Sequence, residues 1–548
     1  MDNNPDSTNR RQFLIRAGAG AATLLAGSSA LLSCTPARSV SHIQGSINGA
    51  NHQVGHKLRS IPDLTKLPIK EKILTDVLIV GGGVAGLSAR RWLQKQGVRD
   101  VLLLEMASQT GGNAAYGQND VSAYPLGAHY LPIPDIRNKD LLQFLQECNV
   151  ITGYDDQKYP VYNEYFLCHD PEERLYINGL WQEGLVPDTG LTKEDKQQTS
   201  RFFALVDQLK QVKGADGRDA FAIPLDQSSA DEHFRALDAI SFASYLTQEG
   251  FTSPYLRWYL NYSCRDDYGA TLANTSAWAG LHYFASRKGK AANASASSVL
   301  TWPQGNGFLA DHLRKQADSP IRANLLVYGM EFWDSAVTVR VYDALANQNL
   351  VVQANRVILA TPQFITQRLL HSVASERSAL AGFQYAPWLV ANLTVSGLPQ
   401  GRGLPLCWDN VLYNTASVGY INANQQNLQD SSQKVITYYK PLTDTSPDVA
   451  RQAAYTTTYE QWLSQILDEL ELAHPGVTVY VSQADIWLWG HGMISPSPGF
   501  IWGNERRKAA QPLDNRVFFA HSDLSGISIF EEAFYQGIRA AQEVVGSV

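Results

Sequence analysis

The stretch Gly81-Gly82-Gly83-Val84-Ala85-Gly86 carries the clearest chemistry in the sequence. It has the order G-x-G-x-x-G. Gly81 permits a tight turn, Gly83 lets a pyrophosphate approach the backbone, and Gly86 lets a helix pack closely on a strand. Three elements must position these glycines. Residues 77–80 form a short all-apolar run, right for a parallel strand buried on both faces. Residues 87–96 read as a helix whose positive end faces the phosphates, with Gly97 as its stop. A second apolar run, 101–104, ends at Glu105. An acid about 20 positions after the glycines can accept ribose hydroxyls. The pattern predicts the first βαβ unit of a dinucleotide-binding domain.

The continuation distinguishes one dinucleotide from another. Gly111 and Gly112 stand six and seven residues after Glu105. With this E-x5-GG extension the sequence resembles the FAD-dependent amine oxidase and desaturase superfamily. The resemblance implies that Gly111 and Gly112 close around the phosphates of FAD. Asn113 stands where that family usually has arginine, and "GGN" also occurs in fumarate-reductase-like flavoproteins. "YPLGAHYLPIP" is similar to the family's D-x-G-x-H/W strand, which implies close approach of the isoalloxazine at Gly127 and Ala128, with His129 near the ring.

Two later segments carry the same resemblance. Residues 300–316 look like the family's Gly-rich turn and helix, and a strand pair follows in which Val327 would contact adenine through its backbone. "RVILATP", 356–362, matches the V-I-x-A-x-P strand that rejoins the sheet. Near the C-terminus, Asp523 would hydrogen-bond the ribityl or pyrophosphate. A last helix beginning near Ile529, Phe530 and Glu531 would aim backbone N–H groups at the flavin N1–C2=O edge. Negative charge develops there on reduction, and a helix N-terminus stabilises it. His521 and Glu532 depart from glycines common at these places. The S-G-G-C motif of covalent flavin attachment is absent, so the resemblance implies non-covalent FAD.

The implied fold is α/β, with a discontinuous Rossmann-like FAD-binding domain and an interleaved α+β substrate domain. FAD-binding segments are expected at 71–130, 300–365 and 500–548, and the substrate domain at 131–299 and 366–499.

Chemistry of this family moves a hydride from a C–N or C–C bond to flavin N5, and the cofactor supplies the electron sink. Many members place a lysine after the x-A-x-P segment. The stretch "APWLVANLTVSGL" has none, and Asn392 is its nearest polar candidate. Trp487, Trp489, His491 and Met493 alternate, so a strand there would point all four one way, as a substrate wall or as ordinary sheet packing. His129, Asn392, Trp489 and His491 are the catalytic candidates. Asp266 and Asp267 suit a positive group, but a capped helix start is the simpler reading, and His282 and Cys264 read as packed core. The leading expectation is oxidation of an amine or amino-acid-like molecule. The alternatives are desaturation of an apolar, isoprenoid-like substrate and a non-catalytic envelope flavoprotein.

The N-terminus reads as an address. Arg10-Arg11-Gln12-Phe13-Leu14 resembles the twin-arginine export signal, with Asn9 in place of the usual Ser or Thr. The apolar stretch after it, about residues 17–33, is too short and too rich in Gly and Ser to span a bilayer. Leu31-Leu32-Ser33-Cys34 resembles a lipoprotein cleavage box, so residues 1–34 are expected as signal, Cys34 as a lipid anchor at a membrane surface, and the periplasm or cell envelope as the destination. Residues 35–70 then read as a polar tether, and His42, His52 and His56 within it fit no metal-ligand spacing.

Bulk properties agree with this picture. At 548 residues the chain exceeds one ordinary core, and its net charge of −7 argues against nucleic acid as a partner. The basic run Arg506-Arg507-Lys508 reads as a solvated loop. No CxxC pair occurs among the five cysteines, which leaves no signal for zinc or a redox dithiol, though disulfides among the last four remain open for an exported chain.

Overall fold

A computed structural model describes residues 40–547, except 334–335, 375–376, 378–379 and 428–430. The arginine pair and Cys34 lie outside these residues. No helix among the described residues is long and apolar enough to cross a membrane.

From Gln44 onward the chain is organised by two sheets. At the centre of the first is β1, Ile69–Val80, paired in parallel with β2, Val101–Leu104, and with β3, Gln348–Leu359. Residues 77–80 and all of β2 are buried, as their unbroken apolar runs require. Ile321–Arg322 extends the sheet beyond β2, and Val517–Phe519 joins β3 in parallel. The hairpin Leu325–Trp333/Ala336–Asp343 completes it, antiparallel to β3. Strands from well-separated parts of the sequence thus form one surface.

Helix α1, Val84–Lys95, begins three residues before the expected start, directly after Gly83. One of its faces lies on the sheet and another on the C-terminal helix, Phe530–Gly546. Both contacts need glycine. A Cβ on Gly86 would lie 1.9 Å from the Gly81 carbonyl oxygen, and one on Gly537 would lie 2.2 Å from that of Ala85. The Ser88 hydroxyl donates to the Phe534 carbonyl at 2.8 Å and fixes the pairing.

The second sheet is built around β4, Tyr385–Ser396, antiparallel to both β5, Gln433–Pro441, and β6, Val481–Ile494. Against it lies α2, Pro254–Tyr268, and α3, Ala277–Ala285, packs on α2. Pro254 and the Ser253 hydroxyl start α2, and Gly269 at φ +57° ends it. Asp266 and Asp267 therefore sit in the last turn of a helix and not at a helix start.

Three other expectations are corrected. Residues 44–67 of the expected tether are a docked strap. Ile47–Gly49 pairs in parallel with Ile486–Leu488 at the edge of the second sheet. Leu58 and Leu64 of the strap then pack on Leu326, Tyr328 and Tyr342 of the first. The Asn349 amide donates to the Leu64 carbonyl at 2.7 Å and the Leu67 carbonyl at 3.1 Å. These contacts supply the order that the strap's own polar composition lacks. Second, Arg506 is buried and donates to the carbonyls of Ile501 and Leu524, so the basic run is a helix, Asn504–Ala510, pinned by its first arginine. Third, Cys148, Cys168, Cys264 and Cys407 are all buried and free.

Leu64→Ala removes a side chain only 4% exposed. It is expected to cost about 2–5 kcal/mol, the usual range for a core Leu→Ala change. Urea unfolding checks this, and faster proteolysis within residues 44–67 should accompany the loss.

Candidate functional site

The glycine loop leaves β1 through Gly81, at φ +106°, a conformation that favours glycine. Gly111 and Gly112 also have positive φ and bring their turn against the loop, where the Gly111 N–H donates to the Gly82 carbonyl at 2.8 Å. Glu105 fastens the two turns. Its Oε2 accepts from the Gly82 N–H and its Oε1 from the Ala107 N–H, each at 2.7 Å. Burial pushes its pKa up while these N–H bonds pull it down.

Gly83 differs from its neighbours. A Cβ there would meet only the Gly112 Cα, at 4.0 Å. Internal packing thus demands glycine at 86 but not at 83, where the space above the loop is open. An open glycine at the N-terminus of α1, beside a buried carboxylate, fits the pyrophosphate and ribose of a dinucleotide. Val327 is buried in the hairpin, near a register shift, and the Leu325 N–H donates to the Glu105 carbonyl at 2.9 Å. The adenine-side candidates thus lie close together.

Asp523 is braced by protein on both oxygens. Its Oδ2 accepts from the Gln363 N–H at 2.8 Å and the Tyr385 hydroxyl at 2.5 Å, and its Oδ1 lies 2.9 Å from His521 Nδ1. Burial pushes its carboxyl up, but His521, Tyr385 and the N–H outweigh this and hold it below the usual range. It anchors the last segment to β4 and to residue 363.

Beyond the loop lies a cavity. Gly127, Ala128 and His129 form one wall, and Phe530 and Glu531, at the start of the C-terminal helix, form another. The Tyr439 hydroxyl donates to the Gly127 carbonyl at 3.0 Å, and the Asn113 amide donates to the Gly492 carbonyl. Asn113, where the resembled family carries arginine, ties the first domain to β6. His129 stacks on Tyr439 with ring centroids 4.5 Å apart, and burial lowers its pKa to about 4.

The four catalytic candidates divide. His129 and Trp489 line the cavity, and the Trp489 indole N–H donates to the Leu126 carbonyl at 2.6 Å. His491 does not line it. A register shift opposite Pro387 turns His491 outward, where it stacks on Phe364 at 4.2 Å. Asn392 does not reach the cavity either. It lies two residues past Val390, the last lining residue of β4, and its Oδ1 accepts from the Thr437 hydroxyl at 2.7 Å. Met493 returns to the cavity beyond the irregularity.

The cavity's charge comes from residues that the sequence did not mark as a group. Arg287, just after α3, donates to both carboxylate oxygens of Asp267 at 3.0 Å and to the Tyr130 hydroxyl at 3.3 Å. Its guanidinium lies 3.9 Å from the centroid of the Tyr283 ring. Asp266 lines the same wall, and burial followed by repulsion from Asp267 raises its pKa to about 7. Glu531, only 3% exposed, is also raised by burial to about 7. Glu532 is used structurally, its carboxylate accepting from the Leu225 N–H at 2.6 Å. His282 lies on the wall with its Nε2 2.9 Å from the Ala222 carbonyl oxygen, and Cys264 is core. The adjacent aspartates were the only available signal, because Tyr130, Arg287 and Glu531 come from distant segments.

Comparison with known proteins agrees with this architecture. A model of the NAD(P)-binding Rossmann-like domain matches residues 79–148. No curated protein matches the chain in sequence. Among solved structures, a putrescine oxidase bound to putrescine is similar, with a TM-score of 0.62 and 16% identity over 87% of this chain and 100% of that one. Cyclohexylamine oxidase from Brevibacterium oxydans IH-35A gives 0.59 and 15%, over 86% and 99%. A CLA-producing fatty acid isomerase from P. acnes gives 0.57 and 16%, over 85% and 97%. The chain therefore has a mixed α/β fold with a Rossmann-like dinucleotide-binding domain, the fold of the FAD-dependent amine oxidases.

Proposed function

We propose that the protein is an exported FAD-dependent oxidoreductase that oxidises an amine or an amino-acid-like molecule. The observation that carries the substrate reading is the cavity itself, aromatic-walled and holding the carboxyls Asp266 and Glu531, neither of which has a cation bound to it. An apolar isoprenoid would leave these carboxyls buried and unsatisfied, whereas an ammonium offsets their desolvation. Similarity to two amine oxidases in fold supports the same reading.

Gly81, Gly83, Glu105, Gly111 and Gly112 would hold the ADP half of non-covalent FAD, which when bound supplies the electron sink. Residues 127–129 and the start of the C-terminal helix would flank its ring. Tyr439, Trp489 and Trp388 exclude water and offer π faces to a cation. His129, with its pKa near 4, stays neutral at pH 7 and adds no repulsion. Asp266 and Glu531 supply the negative charge that retains an ammonium, and Asp266 can take its proton. The twin-arginine route accepts folded proteins, which suits a chain that must acquire its cofactor before export.

Two outcomes follow from this reading. Gly83→Val should leave the polypeptide folded, because the space is open, yet yield a colourless protein; retention of flavin absorbance would contradict the loop assignment. Cation affinity should also depend on pH. Asp266 faces Asp267, Arg287, Arg265 and Asp409, and Glu531 faces Arg287, Asp267 and Glu532. Both carboxyls are raised to about 7, so a bound cation favours their charged forms and affinity rises with pH through that value. Calorimetry with benzyltrimethylammonium, whose charge is fixed, should show about tenfold tighter binding at pH 8 than at pH 6.

A further inference from the structure

Amines and amino acids differ in one demand on a binding site. An amino acid needs a cation for its carboxylate as well as an anion for its ammonium. Charge on the cavity wall is arranged for only one of these. Three carboxyls, Asp266, Asp267 and Glu531, line it against one guanidinium, Arg287, and the two histidines on the wall are held neutral by burial.

That guanidinium is already paired. Both oxygens of Asp267 accept from it, the Tyr130 hydroxyl adds a third contact, and the Tyr283 ring covers one face. The pair is well sheltered, with side-chain exposures of 21% for Arg287 and 10% for Asp267. All of these bonds run from Nη2, and Asp267 already balances the guanidinium's charge, so a ligand carboxylate at Arg287 would bring a second anion beside Asp267 in a sheltered site. Asp266, the adjacent residue, makes no hydrogen bond or ion pair among the described residues. Glu531 is a second acid on the wall, buried and without a cation.

We propose that Asp266 selects the substrate as the counter-ion of a cationic amine that carries no carboxylate, and that Asp267 enforces the choice by balancing the charge of Arg287. This rests on the amine reading above and narrows it, setting aside amino-acid-like substrates.

Phenethylamine and phenylalanine make a matched test, since they differ only by the carboxylate. Stopped-flow absorbance of the flavin-loaded protein without oxygen reads binding before any reduction. Phenethylamine should bind at least about tenfold more tightly than phenylalanine, a factor typical of one charged contact. Asp266→Asn should weaken phenethylamine by about tenfold or more with unchanged flavin content. Asp267→Asn should free Arg287 and narrow or reverse the preference, while Asp267→Glu, which keeps the charge, should retain it. Equal binding of the two ligands by the unaltered protein, or unchanged affinity in Asp266→Asn, would overturn the inference. A yellow protein that binds neither would overturn the amine reading itself, and a protein that takes up no flavin would overturn the cofactor assignment, each taking the inference with it.

Discussion

The close approach of α1 to the turn at Gly81 is the constraint on which the rest of the site depends. A single added methyl at Gly86 would fall 1.9 Å from the Gly81 carbonyl oxygen, so turn and helix move as one body. Through Gly537 the same helix seats the C-terminal helix, whose first turn supplies Phe530 and Glu531 to the cavity. Loop and cavity wall are about 450 residues apart in sequence, yet one helix fixes both. Displacement of α1 would therefore disturb both ends of a bound dinucleotide.

Opposite this rigid half stands a cap whose charge is deliberately unbalanced. Arg287 answers Asp267, and Asp266 beside them is left over. Such a carboxyl weakens the protein unless it stays protonated or gains a cation, which is why the proposed role falls to it. The aromatic rings around it reinforce this, since they shed water without neutralising charge.

Legibility in the sequence was uneven, for physical reasons. The βαβ unit could be read because its elements are local: an apolar run, three glycines and an acid at fixed spacing. Even there, only the structure separates Gly86, required by packing, from Gly83, required by nothing in the protein itself. The bracing of Asp523 was not legible, because its partners Tyr385 and Gln363 lie far away in the chain. Period-2 alternation placed Trp489 and Met493 correctly but misplaced His491, since a sheet irregularity breaks the period. The strap was the hardest to read. Its order comes from Leu326, Tyr328 and the edge of β6, and not from any pattern of its own.

The central claim joins a flavin to an amine, and one anaerobic titration examines both. The purified protein should show a flavin spectrum that bleaches on adding amines without oxygen, and readmitted air should restore the colour and yield peroxide. A flavin spectrum that stays unchanged across amines, yet bleaches with an apolar lipid extract, would contradict the account.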